Sequence, residues 1–191
     1  MILSRRGLAL PALLLLCWAT TGHALTIPGG NLMATGTDPV VVRYVGQSTA
    51  HQDMLYTVTP TSQFLIDSFN GSVGTSFILG TIAAGTEIVF RLDDLMTGAS
   101  WFTGAASRNA DNTVHAIVSD NGDGSWRVQW EDLSFFDSRY DGDFNDMVFD
   151  IWGVTGSTPP VVPEPSSLAL VGIGMAGMAG VVRRRRRRRA A

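Results

Sequence analysis

The sequence contains no lysine and only one cysteine, Cys17, among its 191 residues. Cys17 lies in an apolar segment at the N-terminus. A mature chain that lacks this segment therefore has no disulfide and no cysteine-ligated zinc or iron site. Sustained helical periodicity is also absent from the middle of the chain, where apolar residues fall in short runs separated by Gly, Asn, Asp, Ser and Thr.

Charged residues are few, at 16% of the chain, and they are unevenly distributed. The formal net charge of −3 combines +2 in residues 1–24, −11 in residues 25–158 and +6 in the remainder. The central segment carries 16 acidic residues against five arginines. Such an acidic body repels phosphate, so we expect no nucleic-acid partner despite the arginine run at the C-terminus.

Residues 1–24 have the features of a secretory signal peptide. Arg5 and Arg6 precede an apolar run from Leu8 to Ala19, and small residues follow before Leu25. The segment Ser4 to Leu8 also resembles a twin-arginine export signal, which would mean export after folding. The strongly apolar leucine run favours the general secretion machinery.

The C-terminal segment combines a Pro-Glu-Pro triplet, a short apolar stretch and a run of arginines. The apolar residues 168–182 would form a helix of about 22 Å, short against a hydrocarbon core of about 30 Å. An arginine at mid-bilayer costs about 3 kcal/mol, so the run should stop transfer on the cytoplasmic side. The residues concerned are Pro163, Glu164 and Pro165, then Arg183, Arg184, Arg185, Arg186, Arg187, Arg188 and Arg189.

In this order and spacing, the tail resembles the PEP-CTERM sorting segment. The resemblance implies recognition by an exosortase-type membrane enzyme that removes the hydrophobic tail. It also implies an exported protein that is anchored in the inner membrane as an intermediate and then reaches the cell surface or the medium. The alternative is an ordinary tail anchor, in which the Pro-Glu-Pro triplet would have no role.

The middle of the chain predicts a single all-β domain at residues 25–154, a β-sandwich of jelly-roll type. A Pro-rich linker at 155–165 and a sorting tail at 166–191 should follow. Asn70-Gly71 and the segment Asp120 to Gly124 predict hairpin turns. The candidate strands are residues 40–45, 54–58, 64–68, 76–79, 87–92, 113–119, 125–131 and 147–154.

Tryptophans occur at alternate positions of the strand around residue 128. Trp126 and Trp130 share one face of that strand, and Trp152 lies in the last one. Exposed tryptophans stack on sugar rings, but this spacing is more typical of a core. We therefore predict core positions.

Acidic residues are concentrated just before the last candidate strand. Neighbouring carboxylates repel by about 3 kcal/mol at 5 Å and an effective dielectric of 20, and a hard divalent cation removes that repulsion. Asp-x-Asp-x-Asn is also the spacing with which calcium loops begin, although no EF-hand glycine or terminal glutamate follows. A calcium site is therefore predicted at Glu131, Asp132, Asp141, Asp143, Asn145 and Asp146. The alternative is a solvated turn whose polar side chains cap their own backbone.

The sequence Trp-Glu-Asp-Leu, followed by Asp-Gly-Asp-Phe-Asn-Asp-Met-Val-Phe-Asp-Ile, resembles the signature of an uncharacterised exported domain, DUF4114. That domain is found in bacterial surface proteins and adhesins, and the resemblance implies calcium binding by the same six residues. Trp130 replaces the usual phenylalanine.

These features predict a non-enzymatic, calcium-binding surface module that acts in the extracellular matrix or in adhesion, with an exopolysaccharide or a peptide as its ligand. The alternatives are a secreted carbohydrate-active hydrolase that uses Glu131 or Asp132, and a lectin-like glycan-binding domain. His51 and His115 stand alone, and no nucleophile motif accompanies them, which argues against catalysis.

Overall fold

The computed structural model describes residues 25–159, which form twelve β-strands and one 3₁₀ turn at Ala106–Arg108. The strands are β1 (Thr26–Pro28), β2 (Asn31–Ala34), β3 (Val40–Gly46), β4 (Asp53–Thr59), β5 (Gln63–Asp67), β6 (Ser76–Gly80), β7 (Glu87–Asp94), β8 (Ser100–Phe102), β9 (Ala116–Asp120), β10 (Trp126–Trp130), β11 (Met147–Trp152) and β12 (Val154–Ser157).

The strands form two antiparallel sheets of six strands each. The first sheet has the order β1-β9-β10-β11-β3-β6. The second has the order β12-β2-β7-β4-β5, with β8 paired to β7. The all-β class is confirmed, and the two sheets fit a β-sandwich. The jelly-roll connectivity stays a prediction.

One hydrophobic core lies between the sheets. Alternate residues of β7 and β10 are buried, as expected for strands with one face on a core. Phe90 of the second sheet meets Phe149 of the first, with ring centroids 4.8 Å apart. Trp126 and Trp130 are buried, which confirms their predicted core positions. Trp152 is only half-buried and lies under the guanidinium of Arg43 at 4.7 Å.

Each of the eight predicted strands overlaps an observed one. The strands that the pattern missed, β1, β2 and β8, are only three or four residues long. Gly153 divides the predicted strand 147–154 into β11 and β12, which belong to different sheets. Its φ is +75°, and a Cβ there would lie 2.7 Å from the carbonyl oxygen of Pro39. The second sheet continues to Ser157, three residues beyond the predicted domain end.

The predicted signal peptide at 1–24, the Pro-Glu-Pro triplet, the spanning segment 168–182 and the arginine run lie outside the described residues. No helix within residues 25–159 is long and apolar enough to cross a membrane.

Gly156 of β12 allows the second sheet to approach the first closely. A Cβ at this position would lie 2.6 Å from Cε3 of the Trp126 indole. We expect Gly156→Ala to lower the free energy of unfolding by about 1–3 kcal/mol, because overpacking must displace a core ring. Chemical denaturation measures the loss, and Thr155→Ala on the same strand should stay within about 0.5 kcal/mol. Equal stability of the two variants would contradict the close packing.

Candidate functional site

The predicted acidic site lies at one end of the β10–β11 strand pair. Trp130 pairs with Met147 in the antiparallel register, so the residues just outside both strands are neighbours. Glu131 and Asp132 follow β10, and Asp146 precedes β11. The intervening residues form a loop whose two ends therefore converge.

The backbone of Glu131 and Asp132 is held by four hydrogen bonds. The Glu131 N–H donates to the His115 carbonyl at 3.0 Å, and the Glu131 carbonyl accepts a hydrogen bond from His115 Nδ1 at 2.9 Å. The Trp101 indole N–H donates to the Asp132 carbonyl at 2.6 Å, and the Asp132 N–H donates to Asp146 Oδ2 at 2.8 Å. The Trp101 and His115 rings stack at 3.7 Å. The backbone that carries both acidic side chains is therefore buried and fixed by hydrogen bonds.

The segment Asp141 to Asp146 curls against this backbone. The Gly142 N–H donates to Glu131 Oε2 at 3.0 Å. Gly142 and Phe144 both have a positive φ, +70° and +55°. A left-handed phenylalanine costs about 1–3 kcal/mol, so the surrounding structure must impose this conformation. The loop is thereby folded back onto Glu131.

Two groups of carboxylates result, and they share Glu131. Within each group, one oxygen of every residue lies within 4.8 Å of the others. The outer group contains Glu131, Asp141 and Asp143, and the inner group contains Glu131, Asp132 and Asp146. All five predicted carboxylates are thus brought together. The Asn145 side-chain amide donates to Asp143 Oδ2, and its backbone carbonyl accepts from the Ser48 N–H at 3.1 Å, so Asn145 holds Asp143 in place beside the outer group.

Burial raises the free energy of the charged form of these carboxylates and therefore raises their pKa values. Burial raises the pKa of Glu131 to about 7, and the charges of Asp146 and Asp141 add to the effect. Burial also raises the pKa of Asp146 to about 7, with further contributions from Asp132, Asp143 and Asp141. The pKa of Asp132 is raised, chiefly by burial. A bound divalent cation would offset the mutual repulsion.

The sequence did not indicate Asp53, the first residue of β4 in the second sheet. Its side chain has no exposed surface, and burial together with Asp132, Asp94 and Asp146 raises its pKa to about 9. Thr49 was also missed, and its hydroxyl donates to Asp132 Oδ2 at 2.5 Å. Asp53 and Thr49 lie about 80 residues before their partners, so no local spacing could have revealed them.

Each of the two histidines of the domain is held by an aspartate. His51 Nδ1 lies 2.8 Å from Asp94, and its Nε2 accepts from Arg139 at 3.2 Å. His115 Nε2 lies 3.0 Å from Asp111. Across residues 25–159, neither imidazole is hydrogen-bonded to a hydroxyl or a thiol.

Comparison with known proteins identifies the tail. Residues 161–188 match the PEP-CTERM protein-sorting motif. No curated protein and no solved structure matches the chain. The motif implies an exported protein that is anchored in the membrane before exosortase processing, and this is the part of the sequence prediction that the comparison supports.

Proposed function

We propose that this chain is a surface-sorted, non-enzymatic module that binds calcium through residues 131–146 and acts in the extracellular matrix or in adhesion after exosortase processing. The observation that carries the proposal is the convergence of five carboxylates in two groups around Glu131. At 4.8 Å and an effective dielectric of 20, each pair of charges repels by about 3 kcal/mol. Either protonation of some of these carboxylates or a bound cation must therefore offset the repulsion.

No arginine of the domain offsets this repulsion. All five arginines of residues 25–159 form ion pairs with carboxylates outside the two groups. The pairs are Arg43 and Arg127 with Asp150, Arg91 with Asp93, Arg108 with Glu87, and Arg139 with Asp137. A cation from solution would supply what the chain does not.

The donor set favours calcium among the available cations. Carboxylate and amide oxygens are hard ligands, and calcium accepts six to eight of them in irregular geometry, whereas magnesium demands a near-ideal octahedron. Extracellular modules commonly bind calcium with Kd values of about 10⁻⁴ to 10⁻³ M, so millimolar external calcium would fill from about half to about nine-tenths of such sites.

Exposed aromatic side chains lie on the same loop. Phe135 and Phe136 are 58% and 79% exposed, and Tyr140 meets Phe135 edge to face at 5.5 Å. Amphipathic and apolar rings of this kind pack against sugar rings or peptide side chains. They support the idea that a polysaccharide or a peptide contacts the module next to the ordered loop. The resemblance to DUF4114 supports the calcium site and the adhesive role, and it implies no particular ligand.

We expect 5 mM calcium to raise the Tm of the full chain by about 4–10 °C over its value in chelator. One calcium site with a Kd of about 10⁻⁴ to 10⁻³ M would raise the free energy of unfolding by about 1–2 kcal/mol at this concentration. Differential scanning calorimetry measures the rise, and isothermal titration calorimetry measures the heat of binding. Asp143→Ala should remove most of the calcium-dependent rise in Tm, because it removes one of the three carboxylates of the outer group. Since Asp143 is exposed, the substitution should leave the fold intact.

Asp38→Ala is the matched control, since Asp38 is exposed and lies outside both groups. This variant should keep the full calcium effect. The calcium proposal would be contradicted if the wild-type chain had the same Tm in calcium and in chelator and showed no heat of binding.

A further inference from the structure

The strand β6 forms one edge of the first sheet. Among residues 25–159 it pairs only with β3, so one row of its backbone N–H and C=O groups faces away from the sheet. Natural sheet edges are usually blocked by a charge, a proline or a very short strand. β6 has none of these, since it runs for five residues as Ser-Phe-Ile-Leu-Gly, and its register shift against β3 lies at the Gly80 end. It can therefore accept a further strand.

The other sheet edges of the described residues carry such protection. β1 and β8 are only three residues long, and β1 ends in Pro28. β5 carries the charge of Asp67. β12 is closely followed by Pro159 and Pro160. Within residues 25–159, β6 is thus the edge best suited to pairing.

β6 lies in the longest uncharged segment of the domain. The 19 residues between Asp67 and Glu87 carry no charge, whereas residues 25–158 as a whole have a net charge of −11. Phe69, Val73 and Ile78 of this segment are 53%, 71% and 72% exposed. Two copies of so acidic a domain repel each other where their charged surfaces meet. The uncharged segment is where they can approach closely.

A row of apolar side chains on the outer face of the first sheet ends at β6. Trp152 pairs with Val41, and Val41 pairs with Ile78, so the three side chains lie side by side across β11, β3 and β6. Trp152 and Val41 are half-buried, whereas Ile78 is exposed at the end of the row. An apolar residue on an added strand would cover Ile78.

We propose that β6 pairs with β6 of a second copy of this chain, antiparallel and centred on Ile78, so that two six-stranded sheets join into one sheet of twelve strands. A twofold axis at Ile78 makes the strand its own partner. Ser76 then lies opposite Gly80 of the second copy, and Phe77 lies opposite Leu79 of the second copy. This register uses the full length of β6.

The pairing extends apolar contacts on both faces of the sheet. On the outer face, the row of Trp152, Val41 and Ile78 continues into the same row of the second copy. On the inner face, Phe77 and Leu79 are only partly buried at the margin of the core, and each would pack against the other from the second copy. Such cross-strand apolar pairs stabilise a sheet.

Residues 159–165 of the chain itself fit this edge poorly. They include four prolines and Glu164, and proline lacks the N–H that an added strand must donate. A five-residue strand pair is a small interface, so we expect a weak dimer with a Kd of about 10–100 µM. Copies sorted to one surface would meet at a high effective concentration.

Analytical ultracentrifugation of the full chain tests the proposal. We expect the average mass to rise from one chain towards two between about 1 and 300 µM. Ile78→Lys should weaken the dimer at least about tenfold, because the twofold axis places the new charge beside its own copy. Val73→Lys is the matched control, since Val73 is equally exposed, lies outside β6 and receives the same charge. This variant should dimerise like the wild type.

A wild-type chain that stays monomeric over this range would overturn the proposal and leave the edge to a strand of another protein. Association that persists in Ile78→Lys would belong to another surface or to the apolar tail, and it would also overturn the proposal. Equal weakening by Ile78→Lys and Val73→Lys would reflect charge alone and would contradict pairing at β6. None of these outcomes depends on calcium binding.

Disulfide trapping tests the register. Cys17 is the single cysteine of the chain, so Cys17→Ser gives a background without thiols. In it, Ile78→Cys should form a disulfide-linked dimer under mild oxidation, because residues directly opposite each other in a strand pair have the spacing that a disulfide needs. Val73→Cys should form little of this product. Equal cross-linking at both positions would contradict the twofold pairing at Ile78.

Discussion

Phe149→Ala should lower the free energy of unfolding by about 3–5 kcal/mol, the cost of removing a large ring from a packed core. Phe149 is fully buried in β11 and contacts Phe90 of the opposite sheet. The cavity would open directly behind the strand that follows the acidic loop. Urea denaturation in saturating calcium measures the loss, with the m-value as a check that the unfolded state is unchanged.

The control for this substitution is Phe136→Ala on the loop. Phe136 is 79% exposed, so the same truncation should cost less than about 0.5 kcal/mol. A comparable loss at both positions would show that the core is not where the two sheets place it. If Phe136→Ala lost binding to a polysaccharide or a peptide without losing stability, the surface that contacts this ligand would lie on the loop.

Without calcium, the free energy of unfolding should fall as the pH rises from about 4 towards 9. Glu131 and Asp146 have pKa values of about 7 in the fold, and Asp53 has a pKa of about 9, all above their ordinary values near 4. Between these limits the folded chain holds more protons than the unfolded chain, so deprotonation favours unfolding. Thermal melts in chelator should show a Tm lower by about 5 °C or more at pH 8 than at pH 5.

Calcium should remove most of this decline, because bound cations stabilise the ionised carboxylates and compete with protons. The calcium-dependent rise in Tm should accordingly be largest at high pH. Below about pH 4 the trend should reverse, since hydrogen bonds outweigh burial at Asp94 and Asp111 and lower their pKa values. A Tm in chelator that increases from pH 5 to pH 8 would contradict the charge arrangement of the site.

The fold class and most strands could be predicted because the sheets are amphipathic. Alternation in β7 and β10 places every second residue on the core, and this pattern is local. Three short strands gave too few alternations to detect. The break at Gly153 depends on the contact with Pro39, more than 100 residues away in the sequence.

The same limit applies to the site. The six predicted ligands lie within 16 consecutive residues, and the local spacing anticipated the convergence of their five carboxylates. Asp53 could not be found in this way, because it lies in β4 of the other sheet and comes near Asp132 only in the folded sandwich. Nothing in the residues around Asp53 distinguishes it from an ordinary aspartate at a strand end.

The short strand β12 also determines where the domain would bear mechanical load. Among the strands of residues 25–159 it is the last one, lies at the edge of its sheet and pairs only with β2. In a product that stays attached through its C-terminus, tension would enter the fold at Ser157, opposite Asn31. Resistance to peeling would then depend on four residue pairs and on the contact of Gly156 with Trp126.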